Sequence, residues 1–178
     1  MNYKGLISLL ARYLIIIIIA LFNLSIIYLI FTPITTFIVK LLLKIFYSDM
    51  HFFSNTTTFY ISGNYINLIP ACIAGAAYYL LLLLNLTTPM DIKSRTKSIL
   101  FLVFSFLILN VIRITIFSFL FVSGFQYFDI AHRWVWYLGS TFLVVALWFT
   151  NIFIFKVKSI PFYSDIINIL KDVKKGKR

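Results

Sequence analysis

The chain has 178 residues, 62% of them hydrophobic and only 12% charged. That much apolar surface exceeds what a core built from so short a chain buries, which excludes a soluble globular protein and marks an integral membrane protein. The formal net charge of +11 does not indicate nucleic-acid binding, because most basic residues flank apolar runs instead of forming one face.

A membrane span needs about 20 apolar residues. Residues 7–31 form the first segment that meets this need. They follow Lys4 and enclose Arg12, and are too long, without a small-x-small cleavage site, for a signal peptide, so a retained span is expected. In Pro33–Tyr47, Ile34, Phe37, Ile38, Leu41, Leu42 and Ile45 recur in helical steps with Lys40 and Lys44 between them. This spacing predicts a helix lying at the membrane surface, with a fifth, tilted span as the rival. Residues 57–68 alternate β-branched and aromatic side chains around Ser62-Gly63-Asn64, which predicts a short β-hairpin. Three further spans are expected at 68–88, 98–122 and 131–155.

The fold class that follows is an all-α membrane protein of about four transmembrane helices, with an interfacial helix and a short extracytoplasmic β-hairpin. Residues 1–158 make one integral membrane domain and 159–178 a basic cytoplasmic tail. Orientation comes from the short loops. Lys4 and Arg12, then Lys93, Arg95 and Lys97, then Lys156 and Lys158 all fall on one side, as does the tail with Lys171, Lys174, Lys175, Lys177 and Arg178. The positive-inside rule makes that side cytoplasmic and places the 31–67 connection outside the cell.

Three residues carry candidate chemistry. Cys72 is the sole cysteine, so neither an internal disulfide nor a Cys-x-x-Cys pair exists. Pro70 suits a first helical turn, which puts Cys72 at the opening of the second span, where the helix dipole favours a thiolate. Gly75, with Ala74, Ala76 and Ala77, leaves room for a close approach by another helix or a peptide. The plain alternative is a small cysteine in a helix contact. Arg113 lies within an apolar span, at a cost of roughly 2.5 to 3.5 kcal/mol on insertion scales, and so needs a partner or a polar cavity. No acidic residue within a span supplies one. Asn110, three residues earlier, shares its helix face, and a lipid phosphate is the alternative partner. His132 opens the fourth span, with Asp129 placed to cap that helix or orient the imidazole. Arg133 belongs with Trp134, Trp136 and Tyr137 to an interfacial belt, close enough to substitute for either cation. All three principal residues fall in the outer leaflet. No metal site is expected, since two isolated histidines and one cysteine lack ligand spacing, and no cofactor is implied.

At these residues the chain resembles the exosortase and archaeosortase family of membrane-embedded cysteine transpeptidases. The resemblance covers roughly residues 57–140: a hairpin leading into Ala71-Cys72, then Asn110-Val111-Ile112-Arg113-Ile114, then His132. Gly75 follows Cys72 by three residues where the family pattern has two, and the chain is short, like a compact archaeal member. The resemblance implies cleavage of the carboxy-terminal sorting tail of secreted proteins and transfer to a lipid or amine acceptor. It implies Cys72 as nucleophile, His132 as acid and base, and Arg113 as the group that offsets the oxyanion, with Asn110, Asp129 and Arg133 in support. The competing readings are a non-catalytic membrane scaffold or transporter subunit with a lipid-binding arginine, and a lipid-modifying acyltransferase that would also use Cys72 and His132.

Overall fold

A computed structural model describes residues 3–22 and 24–157; the expected basic tail at 159–178 lies outside them. The chain is mostly helical. Two helices, α1 (Tyr3–Leu21) and α2 (Ser25–Phe46), precede strands β1 (His51–Phe53), β2 (Thr58–Ile61) and β3 (Asn64–Asn67). A one-turn helix α3 (Pro70–Ile73) leads into α4 (Gly75–Thr87), followed by α5 (Ile92–Val122), α6 (Phe128–Trp134), a π-helical turn (Val135–Gly139) and α7 (Ser140–Ile154). Four segments are long and apolar enough to cross a membrane: Ser25–Phe46, Pro70–Thr87, Ile92–Val122 and Phe128–Ile154. Large apolar side chains such as Phe104, Ile108, Phe142, Phe149 and Phe153 face outward, as expected where lipid replaces water as the solvent. The protein is a multi-pass membrane protein.

Helix boundaries differ from the expected ones at several points, and the fourth expected span, 131–155, begins at Phe128. The first expected span, 7–31, is interrupted, because Leu24 takes a left-handed conformation (φ 59°) between α1 and α2. The expected surface helix over 33–47 is therefore not a separate element but the continuation of a 22-residue helix. Pro33 leaves that helix without one N–H. The Thr36 hydroxyl reinforces the same turn by donating to the carbonyls of Thr32 (2.8 Å) and Pro33 (3.1 Å). The span expected at 98–122 starts earlier, as α5 from Ile92, because Asp91 caps it by accepting from the Ser94 amide at 2.9 Å; Lys93, Arg95 and Lys97 ride on its first turns.

Side-chain pairings set the relative directions. Arg12 Nη1 donates to Leu86 O (3.1 Å) and the Tyr79 hydroxyl to Ile16 O (3.4 Å), so α1 runs antiparallel to α4. Asn85 meets Ser98 while Tyr78 packs edge-on against Phe106, so α4 runs antiparallel to α5. Phe46 meets Phe119, placing the end of α2 beside the end of α5. One end of the bundle is tied by polar groups. Asn85, Ser98 and Asn151, all fully buried, join α4, α5 and α7 through the Ser98 hydroxyl. Arg95 caps the last carbonyls of α4, donating to Asn85 O at 2.7 Å and Thr88 O at 2.8 Å.

The other end carries the sheet, which is antiparallel in the order β1-β2-β3. Phe59 and Ile61 of β2 are fully buried against Val39 and Leu43 of α2 and Leu107, Val111 and Ile114 of α5. Lys40 reaches the sheet as well, its Nζ 5.3 Å from the Phe52 ring centroid. The expected hairpin is present as β2–β3, and β1 is an additional strand. Ser62 (φ 48°) and Gly63 (φ 84°) make a two-residue turn with both residues left-handed, the geometry that matches strand twist. Serine is strained there, and Asp49 holds it by accepting from the Ser62 amide (2.9 Å) and hydroxyl (3.1 Å).

Those bonds from Ser62 hold the Asp49 carboxyl below its ordinary range. A lowered folded-state value adds stability above the unfolded value, about 3.9, and loses it as pH falls through the folded one. We therefore expect the Ser62 amide, corrected for intrinsic exchange, to be protected at neutral pH and to lose protection in strong acid. Asp49→Ala should remove that protection severalfold at pH 7; unchanged exchange in this variant would contradict the assignment.

Candidate active site

Cys72 sits in a backbone irregularity. Ile69 is extended (φ −77°, ψ 162°) and Pro70 opens α3, so the Cys72 amide bonds back to Ile69 O at 2.8 Å. Ala74 then adopts a left-handed conformation (φ 59°, ψ 45°), ending α3 and starting α4. For a residue with a Cβ this conformation costs about 1–2 kcal/mol. It also breaks the helical ladder within an apolar segment, where freed carbonyls need partners from elsewhere in the protein. The expectation of a continuous helix from residue 68 is thus corrected: regular helix resumes only at Gly75. A four-residue turn carries little macrodipole, so the expected dipole effect on the thiol is small, and the nearest guanidinium is that of Arg113, which bonds the Cys72 carbonyl.

The partners for the freed carbonyls come from α5. Asn110 Nδ2 donates to Cys72 O (3.1 Å) and Ile73 O (3.3 Å), and Arg113 Nη2 donates to Cys72 O (3.2 Å). The three-residue spacing of Asn110 and Arg113 puts both on one helix face, which is why a single carbonyl receives both. Asn110 is buried, and its Oδ1 has no partner among the described residues.

Arg113 is gripped from the far side too. Its Nη1 donates to Ser140 Oγ at 2.6 Å. Ser140 follows the π-helical turn and directs its own hydroxyl toward Val135 O, five residues back, at 3.5 Å. Such π turns are rare and often mark functional sites. Ser140 carries no motif in the sequence, where the only signal is that the Gly139-Ser140 pair interrupts an otherwise bulky apolar run. A guanidinium has five N–H donors, so these bonds orient it and leave others for a ligand.

Cys72, Arg113 and His132 line one cavity of about 270 Å³ at the sheet end. Its walls are β3, Ile114, Phe117 and Phe121 of α5, and Phe128 of α6. Among the described residues, no acidic side chain lines it. The His132 ring stacks on Phe128 (5.5 Å, 6°) and meets Phe117 edge-on at 5.2 Å, which fixes the imidazole at the exposed rim. Asp129 lies in the first turn of α6, whose N-cap is Tyr127, and among the described residues it makes neither a hydrogen bond nor an ion pair with His132. Arg133 is exposed and lines neither this cavity nor its neighbour. That neighbour, about 520 Å³, lies between α5 and α7, with Asn110 and Arg113 in its wall. The small-residue surface at Gly75 is already occupied: a Cβ there would fall 2.6 Å from the Tyr28 ring of α2. No group of side chains able to hold a metal ion occurs among the described residues.

Asn110→Leu should leave the Ile73 carbonyl without its donor and the Cys72 carbonyl with Arg113 alone, at a cost of about 1–3 kcal/mol, lowering the thermal midpoint of the purified protein in nanodiscs. An unchanged midpoint would contradict the role given to Asn110. No family model, curated protein or solved structure matches the chain.

Proposed function

We propose that the protein is a membrane-embedded cysteine peptidase or transpeptidase that removes carboxy-terminal sorting tails from secreted proteins and passes the trimmed proteins to a lipid or amine acceptor. The observation that carries this reading is the convergence of Cys72, Arg113 and His132 on one cavity. In the proposed reaction His132 takes the Cys72 proton and the sulfur attacks the scissile carbonyl. Arg113, aimed by Ser140 and the Cys72 carbonyl, faces the negative charge that develops on the carbonyl oxygen. As the C–N bond breaks, His132 returns the proton to the leaving amine. An amine, a lipid hydroxyl or water then attacks the thioester and frees the sulfur, and the incoming nucleophile's proton passes to His132.

The side on which this happens follows from charge. Arg12 and Arg95 meet at the end of the bundle opposite the sheet, where both donate to Leu86 O, and Lys93 and Lys97 lie on the same first turns of α5. The positive-inside rule makes that end cytoplasmic. The cavity then opens outside the plasma membrane, where secreted substrates arrive.

A second reading, a scaffold whose Arg113 binds a lipid headgroup, draws on the larger apolar cavity between α5 and α7. The thiol separates the two. In the native host, Cys72→Ala should abolish processing, so that secreted proteins accumulate with their carboxy-terminal tails attached in a proteomic survey of protein C-termini. If the C-termini are the same with and without the thiol, the peptidase reading fails and the scaffold reading stands.

A further inference from the structure

We propose that the open edge of β3 is the docking strand for the substrate, which binds as an added, extended β-strand running past Cys72. This rests on the peptidase reading and specifies how its substrate is held. The turn type sets the hydrogen-bond parity. A two-residue turn closed by Ile61 and Asn64 makes that pair a bonded one, and bonded pairs recur at every second position. The Leu68 amide donates to Thr57 O at 3.1 Å, which agrees with this alternation. The amides and carbonyls of Ile66 and Leu68 therefore point toward β2, whereas those of Tyr65 and Asn67 point away from it. Among the described residues, the strand order β1-β2-β3 leaves that side of β3 without a neighbouring strand.

Unprotected edges invite pairing, and proteins usually blunt them with lysine, proline or a bulge. β3, Asn-Tyr-Ile-Asn, carries none of these, and Tyr65 and Asn67 stand in the wall of the cavity that holds Cys72 and Arg113. The occupant with the matching chemistry is a peptide. An extended main chain offers donors and acceptors at the spacing Tyr65 and Asn67 require, each exchanging bonds with the residue opposite. A lipid chain has no such groups, and a helix has already used its own. Among the described residues the cavity presents the Arg113 cation and no carboxylate, so the segment lying in it is neutral or acidic and free of lysine and arginine. The apolar walls from α5 and α6 take alternate side chains of that strand.

The test uses full-length protein in nanodiscs and two electrophiles: chloroacetamide, and acetyl-Val-Thr-Val-Gly chloromethyl ketone. Each alkylates a thiol in the same way: the sulfur forms a bond to carbon, chloride leaves with the C–Cl electrons, and the thiol proton passes to buffer. The readout is the ratio of the two Cys72 alkylation rates by mass spectrometry. At wild-type Cys72 the ketone-to-chloroacetamide ratio should exceed the same ratio for free cysteine by about tenfold, the worth of one or two main-chain bonds. N-methylation of its amides at one alternate set of positions should abolish that advantage, while methylation at the other set preserves it. Asn67→Pro, which removes one outward amide but no bond to β2, should lower the ratio likewise. If chloroacetamide reacts but the ketone has no advantage, or both methylation patterns act alike, edge docking is overturned and the nucleophile stands. If neither reagent modifies Cys72, the nucleophile falls and the docking proposal with it.

Discussion

The structure around the candidate site depends on one constraint: a helix broken inside an apolar segment must find donors for its freed carbonyls. The left-handed Ala74 creates that demand, and Asn110 and Arg113 meet it at Cys72 and Ile73. The same contacts explain how a guanidinium is tolerated there. It is held by neutral acceptors, the Cys72 carbonyl and the Ser140 hydroxyl, so its charge is oriented without being neutralised. An acidic partner would have neutralised that charge.

The two ends of the bundle solve opposite problems. At one end, buried Asn85, Ser98 and Asn151 and the cap from Arg95 lock helix to helix with polar bonds, which in lipid act where burial of apolar surface contributes little. At the other end, apolar packing holds the sheet, with Phe59 and Ile61 wedged between α2 and α5. The rigid end keeps α5 and α7 in register, and the sheet end is open enough to keep a cavity. Ser140 and the π turn connect them, because the altered helical pitch turns the hydroxyl toward α5.

Much of this was legible because hydropathy and charge report the bilayer directly. The β2–β3 hairpin followed from side-chain alternation and Gly63. Counting spans placed Cys72, Arg113 and His132 at a common level, and the spacing of Asn110 and Arg113 named their shared face. Local breaks were not legible. Alanine has no preference for the left-handed region, so nothing at Ala74 announces the end of α3. The break before Ser25 carried a faint polar signal in Asn23 and Ser25 that the surrounding hydropathy outweighed. β1, three residues long, is too short for alternation to register. Asp129 shows the limit of spacing arguments: three residues from His132 on one helix, it still makes no bond to it, because Phe117 and Phe128 decide where the ring lies.

The most direct measurement of the central claim, an outward-facing thiol governed by Arg113, is the rate at which a membrane-impermeant maleimide modifies Cys72 on intact cells. Labelling should occur without permeabilisation and be slowed severalfold by Arg113→Gln, because the thiolate is the reactive form. Labelling that requires permeabilised cells, or a rate indifferent to the arginine, would contradict it.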